Sequence, residues 1–235
     1  MALDPARYEL LSFDCYGTLV DWEAGLLAGL RPLMPGVGDE AVLEAFARAE
    51  AAVEAASNEE DHLRYREVLA RVLERIGAEA GFVPAAREAL AEGLAAWPLF
   101  ADTKASLARL GRRYRLAVLS NIDRDLFETT RPRLGVDLDA VVTAEEVGAY
   151  KPSPRFFEAA AGRLGVDRER WLHVAQSLYH DVAPARSLGL ATVWVDRRQG
   201  RPGSGATAPS DAVPDLRVPS LEALCEALAV PPPLE

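Results

Sequence analysis

The chain has few lysines and few cysteines, and it lacks both a long apolar run and an excess of basic residues. No window of its 235 residues approaches the roughly 20 apolar residues that a transmembrane helix needs. The formal net charge of −10 argues against general nucleic-acid binding, because a phosphate backbone requires a basic surface. No basic stretch followed by an apolar run opens the sequence, so we expect no export signal and a cytoplasmic location.

The scarce residue types are informative where they do occur. Cys15 and Cys225 lie near opposite ends of the chain without a metal-binding spacing, so we expect two free thiols. Lys104 and Lys151 are the only lysines among 26 basic residues. Lysine offers a compact point charge that the delocalised arginine side chain does not reproduce, so each lysine is a candidate for a specific role.

Apolar residues at helical spacing dominate residues 22–97. The segments AVLEAFARAEAAVEAA, HLRYREVLARVLERIG and PAAREALAEGLAAW each alternate an apolar face with a charged one. No strand-like alternation interrupts them. The pattern predicts a separate helical domain over residues 22–97.

The rest of the chain alternates predicted strands and helices. YELLSF is a predicted strand, and four more follow Pro98: RLAVLS, AVVTAEE, WLHVAQ and ATVWVDRR. Residues 199–215 are rich in Gly, Pro and Ser and predict a surface loop, after which LEALCEALA predicts a helix. Apolar strands separated by helices indicate an α/β fold with a Rossmann-like parallel sheet. This core would comprise residues 1–21 and 98–235, with 22–97 inserted as a helical cap.

Polar residues follow the predicted strands where a ligand site is expected. Asp14, Ser120, Gln176 and Asp196 each come at the carboxyl end of a strand, where open parallel sheets bind their ligands. One aspartate at a strand end is equally typical of a turn. The order of FDCYGTLVDW, VLSN, GAYKPSPRFFE and HVAQSLYHD is more informative.

These four segments resemble the motifs of the haloacid dehalogenase superfamily, and the resemblance extends over nearly the whole chain, including the inserted cap. It implies that Asp14 is a nucleophile whose covalent ester or acyl phosphate is hydrolysed by water. Thr18 and Ser120 would donate hydrogen bonds to the nucleophile or to substrate oxygens. Lys151 would keep Asp14 ionised and offset the charge of an anionic substrate. Asp181 would fix Lys151 or bind a metal.

Asn121, from the VLSN segment, belongs to the same predicted catalytic set. The position of Tyr16 separates two branches of the superfamily. Phosphatases carry a second aspartate there as general acid and base, and a phenol with a pKa of about 10 replaces it poorly. FDCYGT instead resembles the FDAYGT of L-2-haloacid dehalogenases, in which halide leaves without protonation. The resemblance therefore favours dehalogenation of small 2-haloacids, with no cofactor required.

The fourth motif is closer to the phosphatase branch. AQSLYHD resembles the phosphatase pattern GDSLxxD, with Gln176 in place of the first aspartate, whereas the dehalogenases usually have SSNxxD. In a phosphatase, Mg²⁺ would be held by Asp14, the backbone carbonyl of Tyr16 and Asp181. Gln176, Ser177 and Tyr16 are candidate substrate-binding residues. An Mg²⁺-dependent phosphatase and a binding module with altered catalysis are the alternatives.

A haloacid also requires a cation for its carboxylate, and in that branch an arginine of the first cap helices supplies it. Arg48 is the first candidate and Arg64 and Arg66 are the others, although each is equally compatible with a solvated helix face. Phe157 stands where the branch has a tyrosine. Trp22 is expected at the mouth of the pocket or in the core.

The three histidines show no metal-ligand spacing. We expect His173 in the core, and His180 in a supporting position beside Asp181, while His62 receives no role. The expected partner is a small anionic organic substrate, with no nucleic acid and no membrane. The sequence leaves open whether the protein forms a homodimer.

Overall fold

The computed structural model describes residues 3–59 and 62–232. Its core is a six-stranded sheet in the order β3-β2-β1-β4-β5-β6, and all neighbouring strands are parallel. The strands are β1 Leu10–Phe13, β2 Arg115–Ser120, β3 Ala140–Thr143, β4 Trp171–Ala175, β5 Ala191–Val195 and β6 Leu216–Val218. The predicted α/β fold with a Rossmann-like parallel sheet is confirmed.

The strand order places one crevice at the centre of the sheet. The chain begins at β1, continues to β2 and β3 on one side, and then crosses to β4, β5 and β6 on the other. Connections therefore diverge on either side of β1, whose carboxyl end is the point where open α/β sheets bind ligands. Asp14 directly follows β1 at this point.

Helices cover both faces of the sheet. Leu10, Leu11 and Phe13 are all fully buried, as expected for a parallel strand covered on both sides. The helices of the core are α5 Thr103–Leu110, α6 Arg124–Leu134, α7 Ala144–Val147, α8 Pro154–Leu164, α9 Ala183–Ser187 and α10 Leu221–Ala227.

Four α-helices lie between β1 and α5 in the described sequence: α1 Trp22–Leu30, α2 Asp39–Glu59, α3 Tyr65–Ala80 and α4 Ala89–Gly93. The last predicted helix of this region is shorter than expected. A 3-10 turn, Leu94–Ala96, follows α4 and leads to Trp97, which packs directly against Gly25. A β-carbon at Gly25 would lie 2.3 Å from the indole, so tertiary packing rather than helical periodicity sets this turn.

The two connections to these helices run side by side. Val20 forms an antiparallel bridge with Leu99, and the Asp21 amide donates to the Pro98 carbonyl at 2.8 Å. The division of the chain at residues 21 and 98 stays a prediction, and these contacts show where such a cap would be joined.

The sheet differs from the sequence prediction at its edge. β6 was not predicted, and it begins directly after the Gly- and Pro-rich segment 199–215. Its three residues are held in place by pairing with β5, in the register Val193↔Leu216. At the other edge, the predicted AVVTAEE strand ends at Thr143, because Thr143 and Glu146 form a capping box that starts α7.

Two further expectations concern cysteines and membranes. Cys15 and Cys225 are buried free thiols, as predicted. Within residues 3–59 and 62–232, no helix is both long and apolar enough to cross a membrane.

The first turn of α3 is held by a buried carboxylate from the core. Asp123 accepts hydrogen bonds from the backbone amides of Tyr65, at 2.6 Å, and Arg66, at 3.1 Å. We expect Asp123→Ala to lower the free energy of unfolding by about 1–3 kcal/mol, because these amides lose their acceptor. Urea unfolding measures this. Asp125→Ala removes an exposed ion-pair partner of Arg64 and Arg66, and it should lower the free energy of unfolding by less than about 1 kcal/mol. Equal losses in the two variants would contradict the capping role.

Candidate active site

Asp14 is a nearly buried carboxylate with a defined partner for each oxygen. Its Oδ2 accepts from the Thr18 hydroxyl at 2.8 Å, and its Oδ1 accepts from Lys151 Nζ at 2.9 Å. The turn that returns Thr18 to Asp14 places Gly17 at φ +100°, a conformation that favours glycine. The sequence FDCYGT therefore places the Thr18 hydroxyl on the Asp14 carboxylate, and the role of Asp14 as nucleophile stays a prediction.

Lys151 joins the two carboxylates of the site. Its side chain is 1% exposed, and Nζ contacts Asp14 Oδ1 at 2.9 Å, Asp181 Oδ1 at 2.6 Å and the Leu119 carbonyl at 2.9 Å. These contacts use all three ammonium donors. The Asn121 side chain holds the Lys151 backbone at both ends, accepting from its amide at 2.8 Å and donating to its carbonyl at 2.9 Å. Asn121 thus supports the lysine.

A buried hydrogen-bond chain continues behind Asp181. His173 Nε2 lies 2.9 Å from Asp181 Oδ1, and His173 Nδ1 lies 2.7 Å from the Ser12 hydroxyl. Trp171 donates its indole N–H to the same hydroxyl at 2.6 Å. Because an indole can only donate, the Ser12 proton is directed to His173 Nδ1, and Nε2–H donates to Asp181. His173 is a buried core residue, as expected, and it also orients Asp181.

Burial and pairing act in opposite directions on the three charges. Burial and the neighbouring Asp181 raise the pKa of Asp14, against the effect of Lys151 and Thr18. Burial also opposes ionisation of Asp181, but Lys151 and His173 outweigh it and hold its pKa below the ordinary value. Burial lowers the pKa of Lys151, and the two carboxylates more than compensate, so it is raised. The lysine stays charged because both acids face it.

Tyr16 is held away from proton transfer. Its hydroxyl bonds the Thr130 hydroxyl at 2.9 Å, and its ring packs edge-on against Trp97 at 6.0 Å. Burial raises the pKa of Tyr16 well above that of a free phenol. The residue that replaces the phosphatase aspartate is therefore a poor acid or base at neutral pH.

A cavity of about 30 Å³, here called the nucleophile cavity, surrounds the side chain of Asp14. Both the core and the helices before β2 line it. Its lining residues are Asp14, Tyr16, Trp22, Glu50, Glu54, Tyr65, Ser120, Asn121, Lys151, Gln176, Ser177, His180 and Asp181. The sequence-predicted catalytic residues all line this cavity except Thr18, which donates a hydrogen bond to Asp14 but does not line the cavity.

Two acidic residues of α2 enter this cavity, and the sequence analysis missed both. Glu50 and Glu54 are each 3% exposed. Tyr65 donates to Glu50 at 2.7 Å, and Asn121 donates to Glu54 Oε1 at 3.1 Å, while Glu54 Oε2 lies 3.4 Å from His180 Nε2. Burial and the nearby Glu54 raise the pKa of Glu50 well above its ordinary value. Their spacing of four residues on the apolar face of α2 was the available signal.

The predicted cap arginine does not reach Asp14. Arg48 has a side chain that is 66% exposed, with Glu79 as its nearest acid at 4.0 Å, and it lies outside the nucleophile cavity. Residues two positions apart on a helix do not share a face, so turning Glu50 inward turns Arg48 away. Arg64 and Arg66 pair with acids of the core at the start of α6. No arginine lines the nucleophile cavity in the described part of the chain.

The remaining candidates have structural partners. The backbone N–H of Gln176 donates to the Thr18 hydroxyl at 2.9 Å, and the Ser177 hydroxyl accepts from the backbone N–H of His180 at 2.9 Å. Phe157 packs against the His173 ring at 5.2 Å, in the core rather than at the substrate cavity. Trp22 lines the nucleophile cavity and packs against Phe46 at 5.6 Å, so it has both of its expected roles. His62 stacks on Tyr150.

The site fits a resident metal poorly. In residues 3–59 and 62–232, no three His, Cys, Asp or Glu side chains converge in an arrangement that could hold a metal ion. Asp14 and Asp181 each direct one oxygen to Lys151, and Gln176 replaces a third carboxylate. Asp181 Oδ2 is the one buried carboxylate oxygen of this pair without a hydrogen bond among the described residues. We therefore derive no chemical step through a metal.

Replacing Lys151 tests how far the site depends on its charge. Lys151→Met would leave Asp14 and Asp181 buried without a cation, and burial would raise both pKa values above those of the unfolded chain. The native state would then bind more protons than the unfolded state, so stability would fall as pH rises through that window. We expect a loss of about 3–5 kcal/mol at about pH 8 and a smaller loss at about pH 5, measured by urea unfolding.

Lys104→Met is the matched control, because Lys104 is exposed on α5. It should change stability by less than about 0.5 kcal/mol at either pH. A Lys151→Met protein as stable as the wild type at both pH values would show that the ion pairs are not needed for folding.

Known proteins resemble this chain in sequence and in fold. Phosphoserine phosphatase of Thermus thermophilus is 35% identical over 154 residues, which cover 63% of this chain and 61% of that protein. (S)-2-haloacid dehalogenase 4A of Burkholderia cepacia is 32% identical over 118 residues, covering 49% of each chain. The matches thus span between about half and three fifths of these curated relatives.

Solved structures match over almost the whole chain. L-2-haloacid dehalogenase of Xanthobacter autotrophicus superposes with a TM-score of 0.80 at 21% identity, covering 94% of this chain and 98% of that one. The magnesium-bound hydrolase YfnB of Bacillus subtilis gives a TM-score of 0.77 at 20% identity, covering 95% and 100%. At this identity the likeness concerns the fold. Residues 8–189 match the family model of the haloacid dehalogenase-like hydrolases, and the chain belongs to that family.

Proposed function

We propose that this hydrolase removes halide from small halogenated organic acids, of which 2-haloacids are the class that the sequence predicts. The observation that carries the proposal is Tyr16, whose hydroxyl is bound to Thr130 in the position where a phosphatase needs an acid. Halide is a leaving group that needs no proton, so an ionised Asp14 suffices for the first step. Relatives named (S)-2-haloacid dehalogenase support the same reaction.

In the first step, Asp14 attacks the halogen-bearing carbon. One carboxylate oxygen forms a C–O bond while the C–halogen bond breaks, and halide leaves with the electron pair. Thr18 and Lys151, at 2.8 and 2.9 Å, hold the two oxygens of the nucleophile in place. The product of this step is an ester of Asp14.

In the second step, water attacks the carbonyl carbon of that ester. Asp181 Oδ2 is buried at the nucleophile cavity without a hydrogen bond, and it accepts the water proton. Lys151 stabilises the oxyanion that develops on Asp14. On collapse the bond between the carbonyl carbon and the alkoxide oxygen breaks, and Asp181 returns its proton to that oxygen, so the hydroxy acid leaves. The Asp14 carboxyl then loses the remaining proton of the water, and the overall reaction consumes water and yields halide and one proton.

A second candidate is hydrolysis of a phosphate ester that carries an ammonium group. Glu50 and Glu54 favour it, because two buried acids in the nucleophile cavity suit a cation better than a second anion. The relative named phosphoserine phosphatase is consistent with this class. This reaction would require Asp14, Asp181 and the Tyr16 carbonyl to hold Mg²⁺, although Lys151 already bonds both carboxylates.

Isotope labelling tests the covalent step. Asp14→Asn should abolish halide release, because an amide does not form the ester. A single turnover of the wild-type enzyme in H₂¹⁸O should place the label in the Asp14 carboxylate, detected by mass spectrometry of the peptide. Asp137→Asn, an exposed control, should keep full activity. Label that appears in the first product molecule while Asp14 stays unlabelled would refute the ester intermediate.

The requirement for metal separates the two candidate reactions. We expect halide release from chloropropionates to be unchanged by EDTA, since no step in the derived mechanism uses a metal. Release of phosphate from p-nitrophenyl phosphate and O-phosphoserine should be at least about tenfold less efficient, with or without Mg²⁺. Strict Mg²⁺ dependence together with a preference for O-phosphoserine would establish the phosphatase instead. Ion chromatography and a phosphate assay measure the two products.

A further inference from the structure

A second, much larger cavity lies beside the nucleophile cavity. Its volume is about 890 Å³, and its lining includes residues of α2, of β5 and of the segment 200–210. Ligand sites commonly have volumes of about 300–1,000 Å³. Gln176 lines both cavities, so this side cavity adjoins the space around Asp14.

The walls of the side cavity combine an apolar surface with arginines. Ala47, Ala51, Leu178, Trp194 and Pro209 supply the apolar part. The charged lining consists of four arginines and two acids, in a chain with a net charge of −10: Arg48, Arg198, Arg201, Arg217, Glu44 and Asp196. By residue type, the lining of the side cavity therefore carries more cations than anions, although the protein as a whole is acidic.

Two of the arginines are already neutralised. Arg198 is buried and bonds Glu23 through both carboxylate oxygens, at 2.8 and 2.7 Å, and also Glu40. Arg217 bonds Asp196 at 2.5 Å and lies over the Trp194 ring at 4.7 Å. These pairs hold the walls together and leave little charge for a ligand.

The other two arginines, Arg48 and Arg201, are less fully neutralised by neighbouring acids. Among the described residues, the acid nearest to Arg48 is Glu79 at 4.0 Å, too far for a hydrogen bond. Arg201 is half exposed, and its one acidic partner in the described chain is Glu23 at 3.3 Å, which Arg198 already neutralises. One of these guanidinium groups comes from α2 and the other from the segment after β5.

The nucleophile cavity has the opposite character. Lys151 faces Asp14 and Asp181, Glu54 lies in the same cavity with Asn121 as its donor, and no arginine of the described chain lines this cavity. A carboxylate placed about 4 Å from one of these acids would be repelled by about 4 kcal/mol at an effective dielectric constant of about 20. The acid group of a substrate is therefore accommodated better in the side cavity.

We propose that the side cavity binds the carboxylate and the apolar chain of an extended haloacid whose halogen-bearing carbon lies at Asp14. The carboxylate pairs with Arg48 and Arg201, and the chain lies against Trp194 and Leu178. The substrate class is then a haloacid with several carbons between the halogen and the acid group, in place of the 2-haloacids that the sequence predicts. This inference rests on the proposed dehalogenation for the reaction, but the binding site itself does not.

Binding of unreactive acids tests the site without any turnover. Isothermal titration calorimetry would compare hexanoate and octanoate with their neutral amides on the full-length wild-type protein. We expect each acid to bind at least tenfold more tightly than its amide. Arg48→Gln and Arg201→Gln should each remove most of that preference, and Trp194→Leu should weaken acid and amide alike. Arg155→Gln, an exposed arginine on α8, is the control and should bind as the wild type does.

Isomeric substrates test the orientation. Terminal bromo-acids of four, six and eight carbons would each be compared with the 2-bromo isomer by bromide release. We expect kcat/KM to favour at least one terminal isomer by tenfold or more, and Arg48→Gln to raise KM for that isomer while leaving the 2-bromo isomer unchanged.

The outcomes separate the two proposals. Acid and amide binding alike, or an Arg48→Gln, Arg201→Gln double variant with the wild-type preference, would overturn the side-cavity site. Selective acid binding without bromide release from any isomer would refute the dehalogenation and leave the binding site standing. Faster release from the 2-bromo isomers would show that the carboxylate lies near Asp14.

Discussion

The site depends on one buried ammonium placed between two carboxylates. Removing three charges from water costs several kcal/mol per ion, and only close pairing with full hydrogen bonding offsets that cost. Lys151 meets the condition with contacts to Asp14, Asp181 and the Leu119 carbonyl. The surrounding polar groups serve this arrangement, since Thr18 fixes one carboxylate and His173 the other.

The same constraint links the catalytic groups to the helices before β2. The segment after β2 provides Asn121, which holds the Lys151 backbone and donates to Glu54, and Asp123, which accepts from the first turn of α3. Two positions of this segment thus contact the helical region, and Asn121 contacts the Lys151 backbone as well. A displacement of α2 would remove the contact between Glu54 and the residue that supports Lys151.

Local patterns were sufficient to predict five strands and the turn that brings Thr18 to Asp14, because apolar runs and the FDCYGT turn are encoded within a few residues. β6 could not be predicted this way, since its three residues owe their conformation to pairing with β5. For the inward position of Glu50, the four-residue spacing from Glu54 was the one local signal, and it did not suffice. A carboxylate on an apolar helix face becomes tolerable only through Tyr65, a partner fifteen residues away that the fold brings into contact. The outward position of Arg48 follows from that same helix rotation.

The rotation of α2 also divides the charges between the two cavities. One face places Glu50 and Glu54 beside Asp14, and another places Arg48 at the side cavity. An acidic wall around an anionic nucleophile disfavours anions there and strengthens the hold on Lys151, because each added negative charge favours the protonated amine. In the side-cavity proposal, Arg48 and Arg201 attract the anionic group that this wall disfavours. Selectivity for one part of a substrate over another can thus arise from the orientation of a single helix, with Gln176 marking the boundary between the two environments.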